Sequence, residues 1–270
     1  MITLLLLSLA IGVSIFLPAY RLRRAIERAF PSEFSKILRR NLPVYSRMPV
    51  DLQLQLKRLI KQFLHQKKFV GCGGLHINDE VRVTIAAKAC MLLLNRETTV
   101  YPNLKLVLVY PSAFVAPRLE TGLGGVVTHA NQTLSGESWS DGRVILAWDH
   151  VKKGTTESVQ LPDGHDVVLH EFAHQLDSET GITNGAPRLL SRASYQRWSQ
   201  VFSAEFDALN AAAESGQVGV LDHYGASSPA EFFAVATEAF FEKSKDLARL
   251  HPELFEQIRA YYQVDPRYWN

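Results

Sequence analysis

Residues 170–177 read His-Glu-Phe-Ala-His-Gln-Leu-Asp, and this H-E-x-x-H run constrains the chain more than any other feature. On a helix, residues four apart project from one face, so His170 and His174 can share a metal ion. Glu171 stands beside them, where a carboxylate can take a proton from a metal-bound water. The flanks favour a helix. Asp163 and Gly164 offer a cap, and Val168, Leu169, Phe172, Ala173 and Leu176 form an apolar stripe at helical spacing. A surface helix carrying two histidines by accident would not need that stripe.

Two histidines leave a catalytic zinc one protein ligand short, with a fourth position kept open for water. Glu231 is the leading donor. Ser228 and Glu231 also form a capping box with Pro229 at the first helical position, so Glu231 has a purely structural alternative as a cap. The helix it opens is intensely apolar (Phe232, Phe233, Val235, Phe240, Phe241), which argues for burial. Glu238 and Glu242 share roughly the same face, and His223 and Asp177 are further rivals. Spacing alone puts Glu231 only slightly ahead of Glu238.

The run His170–Asp177, the segment Tyr224-Gly-Ala-Ser-Ser-Pro-Ala-Glu-Phe-Phe-Ala-Val and then Glu238-Ala-Phe-Phe resemble the Mlc titration factor A family of zinc peptidases. So do Tyr110-Pro-Ser-Ala-Phe-Val, Ser135-Gly-Glu-Ser-Trp and Val144-Ile-Leu-Ala-Trp, and the likeness runs from about residue 50 to 265. The resemblance implies a zincin fold, one zinc held by His170, His174 and Glu231, and Glu171 as the catalytic carboxylate. It also implies an active-site role for Tyr224, similar to the tyrosine of lethal-factor-type zinc proteases. A family member can sequester the repressor Mlc, so a transcription-repressor partner is a second implication. The departure lies at the amino terminus, where the soluble members lack an apolar segment.

General chemistry assigns the remaining roles. Tyr224 is the candidate donor to the oxyanion, and His223 beside it could assist. Asp177 could fix the tautomer of a ligand histidine or bond a backbone amide after the helix, and Glu238 could accept from a histidine or pair with a cation. An extended peptide substrate would add to a sheet edge, for which residues 143–148 are the expected strand. Residues 104–110 read as a second, buried strand, and Trp139 and Trp148 flank the expected edge. Gly122–Gly125 reads as a turn near a ligand or as plain loop punctuation. The other histidines have no ligand spacing.

The amino terminus is separate. Met1–Tyr20 carries no charged side chain, and Arg21, Arg23, Arg24 and Arg28 follow it. Without an early basic residue or a small-x-small cleavage site, this reads as an uncleaved anchor more than a signal peptide. The positive-inside rule then expects a single-pass protein of the inner membrane with its catalytic domain in the cytoplasm. Residues 21–68 hold 13 Lys/Arg against 3 Asp/Glu, leaving 16 against 24 for the rest. Such a basic arm suits an anionic lipid surface. No recognisable nucleic-acid module accompanies it, so no nucleic-acid partner is expected.

The expected organisation is therefore an anchor over 1–20, a basic juxtamembrane linker over 21–49 and a peptidase domain over 50–270. Leu52, Leu56, Leu59 and Phe63 give a helix over 50–68, and further helices are expected over 79–94, 165–177, 188–213 and 229–243. Strands are expected between 104 and 160, giving an α+β fold, mostly helical with a small mixed sheet. Two cysteines, Cys72 and Cys90, are too few for a disulfide scaffold. Two functional classes follow: a membrane-tethered zinc peptidase acting on a peptide or protein, and a protein-binding regulator with little catalysis.

Overall fold

A computed structural model describes residues 16–96, 99–121, 127–134, 136–139, 142–153 and 164–269. The expected anchor over 1–20 thus lies mostly outside the described residues, as does the glycine stretch 122–125. Residues 16–27 form a helix, α1, with Phe16 and Tyr20 exposed. Among the described residues no helix is long and apolar enough to cross a membrane.

The chain continues through α2 (Ser32–Asn41) and α3 (Val50–Gln66) into β1 (Lys68–Gly71) and α4 (Asp79–Met91). Next come β2 (Leu106–Tyr110), β3 (Phe114–Thr121), β4 (Val127–Leu134), β5 (Gly136–Trp139), β6 (Arg143–Ala147) and α5 (Trp148–Lys153). The carboxyl-terminal half is helical: α6 (Val167–Asp177), α7 (Arg192–Ser215), α8 (Pro229–Glu242), α9 (Ser244–Leu250) and α10 (Pro252–Tyr262).

The basic segment differs from the expected linker. Its charges are interleaved with apolar residues, and Ile37, Leu38, Leu42, Tyr45 and Met48 are buried in the main core. Residues 32–49 therefore belong with the packed domain. Counting charge over a window hid the apolar face of α2.

The main sheet has the order β1-β2-β6-β5, parallel across its first three strands and antiparallel between β6 and β5. Val107, Val109, Val144 and Leu146 are paired in register on one face of the sheet and are buried there, while the alternate residues of β2 are half-buried. This corrects the substrate-strand expectation: residues 143–147 form an inner strand, and the edge on that side is Gly136–Trp139. β3 and β4 pair with each other as a separate antiparallel hairpin. The sheet also has a strand not foreseen, β1, ahead of the expected range.

α4 is buried on nearly all sides, with Val83, Ile85, Ala86, Ala89 and Cys90 at the centre of the domain. Asn78 starts it by accepting the Val81 amide at 3.0 Å. α6 packs across this centre through Phe172, whose ring lies 4.8 Å from Tyr101 and 5.7 Å from Phe63. α8 is wrapped in aromatic contacts: Phe232 and Phe233 meet Phe202 of α7, and Phe240 meets Phe255 and Tyr262 of α10. The two helices bearing the candidate ligands are thereby fixed in the best-packed part of the fold. Cys72 and Cys90 are both free thiols.

Candidate metal centre

α6 begins one residue after Asp166, whose carboxylate accepts the Val168 and Leu169 amides at 2.9 and 3.2 Å. Asp166, rather than Gly164, is the cap, and Asp163 lies outside the described residues. Its second oxygen pairs with the buried Lys88 of α4 at 2.6 Å, so the start of α6 is tied to the core helix. Farther along, Gln175 donates to Ser138 Oγ at 2.7 Å, stapling α6 to the edge strand β5.

On that fixed helix the two histidine rings stand 4.9 Å apart. His170 Nε2 and His174 Nε2 are 3.3 Å from each other, and Glu231 Oε2 lies 2.9 Å from the first and 3.3 Å from the second. The three donors converge on one point. Ligands of a tetrahedral zinc with bonds of about 2.0–2.1 Å should be about 3.3 Å apart, so the donor set fits such an ion. His170, His174 and Glu231 are the only group of this kind among the described residues.

The spatial neighbours explain each position. Ser228 accepts the Glu231 amide at 3.2 Å, so half of the capping box forms, but the Glu231 carboxylate is committed to the histidines. Glu238, two turns on, holds the other nitrogen of the same ring: its Oε1 accepts from His170 Nδ1 at 2.7 Å. Its Oε2 accepts the Asp166 amide at 2.6 Å. With the proton held on Nδ1, the Nε2 lone pair of His170 is left for a cation. Glu231 and its nearest rival Glu238 therefore both touch His170, one on each ring nitrogen. Asp177 takes the backbone option, accepting the Gly185 amide at 2.7 Å.

Electrostatics follow from this crowding. Burial disfavours a charged His170, yet its bonds to Glu231 and Glu238 outweigh burial and raise its pKa well above the ordinary histidine value. Burial would raise Glu231 as well, but the two histidines hold its carboxyl well below the usual range. A cation taking the shared Nε2 must displace a proton, so metal affinity falls as pH falls. Glu171 is buried, and burial pushes its pKa up to about 7. A carboxylate poised near neutrality suits a general base.

The edge strand presses directly on Glu171. A side chain on Gly136 would place its Cβ 2.5 Å from Glu171 Oε1 and 2.7 Å from its Cγ. Gly136 thus permits the close approach of β5 to Glu171, a role that single-sequence reading missed because an isolated glycine has many other uses. Tyr224 is half exposed on a short turn (His223–Ser227), its ring 5.9 Å from that of His170. His223 instead bonds the Gln217 carbonyl at 2.9 Å.

Residues 17–263 match the family described as glucose-regulated metallo-peptidase M90. The chain belongs to this family. As an M90 metallopeptidase it is an enzyme, and its His-His-Glu cluster is a candidate metal site of the kind that class requires. It is 38% identical over 271 residues to Uncharacterized protein slr2042 of Synechocystis, covering 98% of each chain. It is 30% identical over 229 residues to Mlc titration factor A of Escherichia fergusonii, covering 83% of this chain and 84% of the relative. The Mlc titration factor A of Klebsiella pneumoniae gives the same identity over the same length. Together these bear out the family resemblance read from the motifs.

Proposed function

We propose that this M90 metallopeptidase uses zinc, held by His170, His174 and Glu231, to hydrolyse peptide bonds. The observation that carries the reading is the convergence of three donor atoms at 2.9–3.3 Å, with the buried Glu171 beside them. Bound there, zinc supplies Lewis acidity and lowers the pKa of water toward neutrality. Glu171 takes the proton of the attacking water and passes it to the leaving amine. Tyr224 donates its hydroxyl to the oxyanion that forms on the substrate carbonyl. The antiparallel edge strand β5 offers its main chain to an extended peptide.

Replacing Glu171 with Gln tests the assignment. The variant should retain zinc and lose nearly all turnover of a chromogenic peptide panel; activity near the wild-type level would remove Glu171 from the role.

The amino-terminal segment supports a membrane tether on the cytoplasmic face of the inner membrane. Its charge-free run is followed by four arginines, and the Synechocystis relative aligns over 98% of the chain, leaving little room to omit this segment. Partner capture is the second reading, favoured by the relatives named Mlc titration factor A. Capture of an Mlc-like repressor that survives Glu171→Gln and zinc removal would separate binding from catalysis.

A further inference from the structure

The ligands come from two helices, α6 and α8, and something must set their separation. At the start of α6 the bond from the Asp166 amide to Glu238 does so. At the other end the helices meet through the loop around Gly185. This glycine donates its amide to the fully buried Asp177, one turn beyond His174, at 2.7 Å. Its carbonyl accepts from the buried Trp198 indole of α7 at 2.9 Å. Its φ of +76° is a left-handed conformation that disfavours any side chain. Its Cα faces the first peptide of α8: a Cβ would collide with the Pro229 carbonyl oxygen, lie 2.8 Å from the carbonyl carbon and 3.4 Å from the Ala230 nitrogen. Glu231 is the next residue along.

We propose that Asp177 and Gly185 are positioning residues for the metal centre, a strut that holds the first turn of α8 against α6 and so keeps Glu231 within ligand distance of His170 and His174. The proposal rests on the zinc-site reading. Asp177 fixes the loop to the histidine helix, Trp198 fixes it to α7, and the bare Cα lets the Pro229–Ala230 peptide come close enough for Glu231 to reach. A methyl group there must push that peptide away. Metal–ligand distances tolerate shifts of only about 0.2 Å, and the half-buried Glu231 side chain has little room to compensate. The geometry thus makes Gly185 matter to metal binding although it touches no ligand atom.

Gly181 supplies the control, because it has a φ of +88° and nothing within 4 Å of a built Cβ. Gly181→Ala bears the conformational strain without the collision. Apo forms of the full-length wild type, Gly185→Ala and Gly181→Ala would be titrated with zinc against a competing chelator, and with cobalt(II) for its visible absorption. Gly185→Ala should bind zinc about 10- to 100-fold more weakly, as loss of support around a metal site typically does. It should also change the cobalt spectrum, whereas Gly181→Ala keeps both properties. Equal zinc affinity in the two alanine variants would overturn the proposal. Should Gly185→Ala fail to fold, Asp177→Ala decides, because it removes the strut from the other side: weakened zinc binding supports the proposal, and wild-type affinity overturns it. Failure of the zinc reading itself is visible before any substitution, as a folded wild-type chain that takes up no zinc, and it would overturn the strut as well.

Discussion

Glu238 Oε1 accepts from His170 Nδ1 at 2.7 Å while Oε2 of the same carboxylate accepts the Asp166 amide at 2.6 Å. One side chain therefore sets the tautomer of a candidate ligand histidine and ties α8 to the start of α6. By contrast, His174 Nδ1 is buried with no protein partner among the described residues, so the two histidines are held unequally. Glu238→Gln keeps the shape and removes the charge. Zinc affinity, measured by chelator competition, should fall about 10- to 100-fold with the fold retained. Unchanged affinity would show that the contact orients nothing.

Tyr224 stands beside His170, its ring 5.9 Å away. If its hydroxyl bonds only the oxyanion, Tyr224→Phe should lower kcat by about 100-fold and leave KM and zinc content near the wild-type values. Steady-state kinetics on one cleaved peptide decide it. A loss confined to KM would assign Tyr224 to substrate binding alone.

Lys67 gives a pH prediction remote from the candidate metal centre. Its ammonium is buried at the end of α3, donating to the Tyr101 and Leu104 carbonyls at 2.5 and 2.8 Å. Burial lowers its pKa to about 8, against about 10.4 in an unfolded chain. Below pH 8 both states carry the proton, and the fold bears the full cost of burying it. Between about 8 and 10.4 the unfolded chain binds more protons, so stability contributed by this site rises with pH. Urea unfolding of the wild type and Lys67→Met should show the wild type gaining on the variant between pH 7 and 10. A constant or opposite difference would contradict the assignment.

The features legible in the sequence are those set by local periodicity. His170 and His174 are brought together by one helical turn, and the five expected helices all form, with ends shifted by a few residues. Glu231 was legible only as a capping box with a resemblance behind it. Spacing could not separate it from Glu238 because α8 runs alongside α6 and presents both carboxylates to one imidazole. What depends on strand order was not legible. Residues 143–147 have the apolar run of a strand, but only the sheet shows that the shorter Gly136–Trp139 lies outside them. For Asp177 a backbone amide after the helix was one of two legible options, but that Gly185 supplies it was not, since a bond across a loop leaves no periodic trace. The role of α2 was hidden by the charge count that drew attention to it.

The most direct test of the account is the metal content of the full-length wild type beside Glu231→Gln, both purified without chelator and analysed by elemental mass spectrometry. The account predicts about one zinc per wild-type chain and a markedly weakened or lost ion in the variant. A folded wild type without zinc, or a variant that holds it as firmly as the wild type, would contradict the three-ligand centre.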